Sequence, residues 1–489
     1  MNAIADQRIR PAQKNLPGIF DHSRTIRRIR QLIWLYLWLL LFEGVFRKWI
    51  VPQLSSPLLL VRDPVVLLIY LLALRARIFP HNIYVISLEI IAVFSWASGI
   101  IVLLPYFPIQ SIILVTGYGV RSNFLHLPLI FIIPAVFDLE DVKRVGWWTI
   151  IGMLPMAILM ALQFAASPEA FINRVAGGEG TQLAAGGGKI RPPGVFSFIS
   201  GSVYYASAAA AFLLHAVLAK LPYRTWLLYA SGAGLILALS VSGSRSAVLA
   251  VAVVVGALGV ILLVRPSLVD KFGRHLLLAV VVLVAVSYLP IFREGVGILS
   301  DRFTESAEET SVVGGLVGRT VGGFTEGLLV IDRVPLGGYG LGVGTSGGAS
   351  FLTGQASFLL AENEWSRLLL ESGPILGLAF LIWRCAITLK LGWFSIREVR
   401  AGNTLPIFLF MAGVFVILQG PFGQPTSLGF AVVFAGLCLA AKPLRPVAPV
   451  EVPSPGETST ELRRVRGRSK YAERLHGASD HPRHGSFDR

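Results

Sequence analysis

Apolar runs of about 20 residues recur down most of this chain, and no other feature restricts its fold so strongly. A helix rising 1.5 Å per residue needs roughly 20 residues to cross the hydrocarbon of a bilayer. Read between charges and Pro/Gly breaks, the runs predict helices at 32–49, 57–74, 83–104, 111–137, 145–166, 202–219, 225–241, 246–264, 275–292, 358–383, 404–420 and 426–441. The expected fold is an all-α, polytopic integral membrane protein of about twelve transmembrane helices. Composition agrees, because only 15% of the 489 residues are charged, against roughly a quarter in soluble domains. A soluble enzyme is excluded. Cys385 and Cys438 sit in or beside apolar runs, so neither a disulfide framework nor a zinc site is expected.

The formal net charge of +15 would raise the question of nucleic acid, but 17 of the 43 Lys and Arg lie in two polar tails. Positive-inside topology explains most of the excess. The basic segment 1–30 carries Arg8, Arg10, Lys14, Arg24, Arg27, Arg28 and Arg30 without the cleavage pattern of a signal peptide, and is expected in the cytoplasm. With twelve crossings, thirteen basic residues fall on inside loops: Arg75, Arg77, Lys143, Arg144, Lys220, Arg224, Arg265, Lys271, Arg274, Arg384, Lys390, Arg397 and Arg400. The short outside loops hold three, Arg47, Lys48 and Arg245. Both termini are therefore expected in the cytoplasm, flanking a transmembrane domain over 31–441. The tail at 442–489 reads as disordered, with its basic run from Arg463 to Lys470 a solvated segment near anionic lipid. Two outside loops, about 167–201 and 293–357, exceed what a connection needs, and loops of that length are usually functional or disordered.

Ionisable residues at membrane depth or at a cavity rim are costly and therefore functional candidates. They are Arg62 and Asp63, Glu89, Arg121, Lys189 to Arg191, Arg245, and Glu362 to Glu371. The segment Val241-Ser-Gly-Ser-Arg-Ser-Ala247 is a tight outside turn holding one guanidinium among hydroxyls. Such a turn suits a diphosphate, with Arg245 donating a planar fork and Ser244 adding a donor; equally, Arg245 can snorkel to lipid headgroups. At the head of the tenth helix, Glu364, Arg367 and Glu371 fall within about 60° of one another, one polar stripe entering the membrane. Arg367 and Glu371 suit a helix-joining ladder, whereas Glu362 and Glu364, flanking Asn363, are expected at the outer mouth. The stretch Leu336 to Gly348 contains Gly342-x-Gly344-x-x-Gly347, but no strand-turn-helix unit surrounds it. It is expected to be a flexible loop closing over a site. No histidine lies on an outside loop, and His126 and His215 read as hydrogen-bonded core residues, so no metal site is expected.

Together, the Ser-Gly-Ser-Arg-Ser turn, Pro335-Leu-Gly-Gly-Tyr-Gly-Leu-Gly342, Arg191-Pro-Pro-Gly194, and Glu362-Asn-Glu364 followed by Glu371-Ser-Gly373 resemble the bacterial O-antigen ligase and O-antigen polymerase superfamily. The resemblance covers roughly residues 30–440. It implies a multi-pass glycosyltransferase of the inner membrane, with the loop between helices nine and ten in the periplasm. Such an enzyme passes a glycan from an isoprenoid diphosphate carrier to a hydroxyl, of another carrier-linked glycan in a polymerase or of a lipid A core in a ligase. It needs no cofactor or metal, and export machinery is a conceivable partner. By motif, Arg191 and Arg245 with Ser244 would hold the diphosphate, Glu362 and Glu364 would serve as base, and Asn363, Arg367 and Glu371 would support them. Ligases commonly carry His-Asn where this chain has Glu362-Asn363, which favours a polymerase of O-antigen or exopolysaccharide. A lipid-linked oligosaccharide flippase or other transporter is the competing class, although transporters usually show paired broken helices in two related halves.

The topology has a direct check. A cysteine placed at Asp301 should react with an impermeant thiol reagent in intact cells, and one placed at Arg397 should not; the reverse pattern inverts the orientation.

Overall fold

The computed structural model describes residues 17–177, 181–268, 284, 287–309, 325–353, 360–361 and 363–442, all within one compact unit over Met1–Pro443. Its principal helices are α1 (Pro17–Val45), α2 (Asp63–Arg75), α3 (Ile83–Leu103), α4 (Ile109–Val120), α5 (Leu129–Val136), α6 (Leu139–Ala165) and α7 (Ile199–Leu218), followed by α8 (Thr225–Val241), α9 (Arg245–Val264), α10 (Pro290–Glu309), α11 (Ser346–Thr353), α12 (Glu364–Arg400), α13 (Leu405–Gln419) and α14 (Pro425–Ala440). Among the described residues the one sheet is a two-stranded antiparallel hairpin, β1 (Ala184–Gly186) with β2 (Lys189–Ile190). Seven helical spans are long and apolar enough to cross a membrane, and α4 with α5 makes an eighth, bent by 40°. This is an all-α, multi-pass membrane protein. The helix expected at 275–292 lies largely outside the described residues, as do the first 16 residues and all but one residue of the tail.

Local chemistry sets the boundaries. Asp138 starts α6 with a capping box, its Oδ1 accepting from the Asp141 amide at 2.9 Å. Asn82 caps α3 by accepting from the amides of Tyr84 and Val85. Two π-helical turns, Phe46–Ile50 after α1 and Arg121–Leu125 after α4, continue their helices with a shifted register, a feature often found at functional sites. Arg47 and Lys48, expected on an outside loop, lie on the first of these turns, where Lys48 is fully buried.

Apolar residues all round a helix call for burial on every side. In α14, 13 of 16 residues are buried, and the helix packs against α13, α5 and α7. Glycines permit the close crossings: a Cβ on Gly413 would come 2.5 Å from that of Phe434, and one on Gly436 the same distance from Cδ1 of Ile133. By contrast, only 22% of the apolar window of α3 or α9 is buried. Exposed Ile86, Ile90, Val93 and Phe94 make α3 a lipid-facing helix.

The helix α12 runs for 37 residues, about 55 Å, and so extends well past one bilayer leaflet pair. Arg384, expected on an inside loop, instead lies fully buried within it. The helix breaks at Gly373 (φ 78°, ψ 170°), just before Pro374.

Candidate functional site

Three polar clusters occupy the helical body, and the first forms around the break in α12. Pro374 has no N–H, so the carbonyl of Leu370 loses its helical donor, and the turn at Gly373 removes that of Glu371. The glycine-rich segment supplies both: the Tyr339 amide donates to Leu370 O at 2.7 Å and the Gly340 amide to Glu371 O at 3.1 Å. Leu341 is fully buried between α3 and α4, where a Cβ on Gly99 or Gly119 would collide with the segment. Gly342 (φ 91°) lies against the Val115 carbonyl, a placement open only to glycine. The expected mobile lid is thus a packed insert that repairs a broken helix.

The charged stripe completes this repair. Arg367 Nε and Nη2 each donate to the Glu364 carboxylate at 2.9 Å, and Nη1 lies 2.7 Å from Glu371 Oε2. Arg367 Nη2 also donates to Asn123 Oδ1 at 2.8 Å, and Glu371 Oε1 accepts from the Gly344 amide at 2.9 Å. Glu364 Oε1 further accepts from Arg384 Nη1 and from the Phe422 amide, each at 3.1 Å. Arg384 spends its other donors on the carbonyls of Ile417 and Gly420 and stacks over Phe422, 3.8 Å from the ring centroid. The ladder expected of Arg367 and Glu371 is present. Glu364, expected at the outer mouth as a base, is instead buried with its oxygens occupied by two guanidiniums and an amide. Asn363 is the N-cap of α12, accepting from the Trp365 amide at 3.0 Å. Glu362 lies outside the described residues.

A second cluster links α1, α2 and the turn after α4. Asp63 accepts from Arg121 Nε at 2.8 Å and lies 2.9 Å from His126 Nε2, whose Nδ1 is 3.0 Å from the Tyr36 hydroxyl. Arg62 pairs with Glu43 at 3.3 Å and donates to the Pro425 carbonyl at 2.6 Å. Arg47 pairs with Glu43 at 3.3 Å as well. The membrane-depth rule finds Arg62, Asp63 and Arg121, but it does not pair them with one another or reveal Glu43, Asn123 and Arg384 as partners. Those links join residues up to 248 apart, and no local pattern records them.

The third cluster brings together the residues that the sequence assigns to a diphosphate. Arg245 opens α9 and Ser244 precedes it, held in a turn by the bond from its amide to Ser242 Oγ at 3.2 Å. The β-hairpin folds over this turn: a Cβ on Gly243 (φ 54°) would lie 2.7 Å from that of Ala185 and 3.7 Å from Arg191 Cγ. Arg191 and Arg245, 54 positions apart in the sequence, are both half-buried at this junction. Lys189 pairs with Glu294 of α10 at 3.2 Å, and Gly295 of α10 crosses the Ser240 carbonyl. Gly194 is fixed behind them, its carbonyl accepting from Lys48 Nζ at 2.6 Å and its amide donating to Gln163 Oε1 at 2.9 Å. Neither Lys48 nor Gln163 is suggested by the motif. Arg191 Nε donates to the Ala184 carbonyl at 3.0 Å, so its stem lies along the turn that carries Arg245, and an arginine at the N-terminus of a 20-residue helix with a second one beside its turn suits phosphate oxygens. Among the described residues, no three His, Cys, Asp or Glu side chains are grouped to hold a metal.

Comparison with known protein families and with curated proteins yields no match to this chain.

Burial decides what the α12 network contributes. Removing one partner of a buried pair leaves an uncompensated charge, at about 3–5 kcal/mol, whereas the half-exposed Lys189–Glu294 pair is worth about 0–1 kcal/mol. Glu364→Ala should therefore abolish a monodisperse gel-filtration peak or sharply lower the thermal midpoint in detergent, and Glu364→Gln combined with Arg384→Met should restore part of the loss. Glu294→Gln should change little. A Glu364→Ala protein as heat-stable as its parent contradicts this assignment.

Proposed function

We propose that the protein transfers a glycan from an isoprenoid diphosphate-linked donor to an acceptor hydroxyl, most consistently as a polymerase of O-antigen or exopolysaccharide repeat units. The observation that carries the reading is the approach of Arg191, through the β-hairpin, to the Ser242–Ser244 turn that leads into Arg245 at the start of α9. A diphosphate is well served by bidentate guanidiniums, and a carrier lipid held there keeps its tail in the bilayer while its sugars face the loops. The orientation proposed places this junction on the periplasmic face of a bacterial inner membrane, with both ends of the helical body in the cytoplasm. Twelve crossings follow if the seven spans, the bent pair α4–α5 and the shorter apolar helices α8, α13 and α14 are joined by 275–292.

In this reading Glu364 is a positioning residue, because its carboxylate is already taken by Arg367 and Arg384. The base role then falls to Glu362, in the place where ligases carry histidine. General-base assistance is typically worth about 10²- to 10⁴-fold in rate. Transfer to a lipid A core remains the variant reading.

One observation favours the transporter alternative: α4–α5 and α12 are both broken within the membrane body and meet through Asn123 and Glu371, 3.4 Å apart. Yet the groups at those breaks are bound to one another, which favours a structural role.

The reading is tested in cells lacking the chromosomal copy, by sizing surface polymer. Arg245→Lys and Arg191→Lys keep the charge but lose the fork, and each should lose most polymer at parental expression while carrier-linked repeat units accumulate. Glu362→Gln should do the same. Polymer of parental length and amount in Arg245→Lys would reduce Arg245 to a snorkelling residue.

A further inference from the structure

At the far end of α7 from the Arg191–Arg245 junction lies a cavity that glycan transfer does not use. Its volume is about 480 Å³, and it lies between α7, α8 and α9, within the range of small-ligand sites. The walls are apolar, formed by Ala210, Leu214, Leu228, Ile236 and Val251 among others. Gly232 leaves part of the space empty, since a Cβ built on it would meet nothing within 4 Å. In water such a hollow would collapse or attract a partner; here its helices stand in lipid, as the exposed Val255, Leu262 and Leu263 of α9 indicate.

The mouth is of different character. Lys220, Tyr223 and Thr225 line it where α7 ends and α8 begins, and Arg224 sits between the last two. Lys220 and Arg224 are exposed, and neither has an ion-pair partner among the described residues. Nearby, Lys143 and Glu140 pair with each other at 2.7 Å, and the Tyr223 hydroxyl donates to the Lys143 carbonyl at 3.0 Å. Trp226, 60% exposed, stands beside the mouth, and Trp at such a position marks the level of lipid headgroups. Thus an apolar hollow of chain-binding size ends at headgroup level beside two cations that have no ion-pair partner among the described residues.

We propose that this cavity binds one acyl chain of an anionic phospholipid, whose headgroup phosphate is held by Lys220 and Arg224. The occupant is a membrane phospholipid rather than the isoprenoid carrier. The mouth lies one 20-residue helix, about 30 Å, from the Arg191–Arg245 junction, so a single carrier cannot place its diphosphate at both ends. The lipid belongs to the leaflet opposite the glycan-handling face and wedges α7, α8 and α9 together there. The inference is independent of the transfer reading, because lipid binding is measured without any glycan.

Native mass spectrometry of the full-length protein in detergent, titrated with phosphatidylglycerol or phosphatidylcholine, counts the lipids bound. The parent should hold one phosphatidylglycerol with about a thirtyfold preference over phosphatidylcholine, the size that two basic side chains at a membrane surface supply. Gly232→Leu, whose Cβ meets nothing within 4 Å and whose branch extends into the hollow, should lose that one lipid. Gly256→Leu, where a Cβ also meets nothing within 4 Å but which does not line the cavity, should keep it. Lys220→Gln with Arg224→Gln should bind both lipids alike while keeping the parental thermal midpoint. Equal binding of the two lipids by the parent, or an unchanged phosphatidylglycerol adduct in Gly232→Leu, overturns the proposal. One-for-one displacement by an isoprenoid phosphate would also overturn it and give the cavity to the carrier.

Discussion

A proline within a membrane helix leaves a carbonyl without a donor, and in this protein the carbonyl of Leu370 is the one that Pro374 orphans. Inside a bilayer no water can satisfy it, and each unsatisfied backbone group there costs several kcal/mol. The remedy is the segment from Pro335 to Gly348, which feeds the amides of Tyr339 and Gly340 to the two freed carbonyls. That requirement explains why the segment is glycine-rich: its backbone must run against Glu371, Gly373, Val115 and Gly119 where side chains do not fit. It also explains the reach of Leu341 between α3 and α4, which ties the late part of the chain to the early helices.

The buried charges follow from the same geometry. Glu371 must hold the Gly344 amide, Arg367 compensates Glu371, and Glu364 and Arg384 close the chain onto the carbonyls around Gly420. Burying ions is costly in itself, and the arrangement persists because each member finds a partner. Its value is positional. It joins the start of α12 to the end of α13 and the start of α14, and Arg62 joins α2 to the start of α14 through the Pro425 carbonyl. The junction at Ser244 and Arg245, proposed to hold the glycan carrier, is instead built from turns, a two-stranded hairpin and half-exposed cations, as suits groups that must meet a ligand.

Much of the architecture is legible in the sequence, because spans are written in local composition. Eleven of the twelve expected helices coincide with described ones, and the stripe of Glu364, Arg367 and Glu371 follows from helical periodicity alone. Partners are not written locally. Arg384 reads as an inside-loop cation because it follows an apolar run, and only the distant Glu364 and Phe422 reveal why it is buried. Glu364 reads as a mouth residue for the same reason. The glycine-rich segment suggests mobility by composition, yet its glycines serve close packing against a break whose signal, Gly373-Pro374, lies in another part of the chain. The junction of Arg191 with the turn before Arg245 is reachable only through the family resemblance, since 53 intervening residues separate them.

Whether the junction handles a glycan carrier is decided most directly by chemistry outside the cell. Purified protein in lipid vesicles, given an isoprenoid diphosphate-linked repeat unit and no other enzyme, should yield a ladder of longer glycans with release of free isoprenoid diphosphate. Repeat units that stay at their original length while crossing the vesicle bilayer would contradict glycan transfer and establish transport instead.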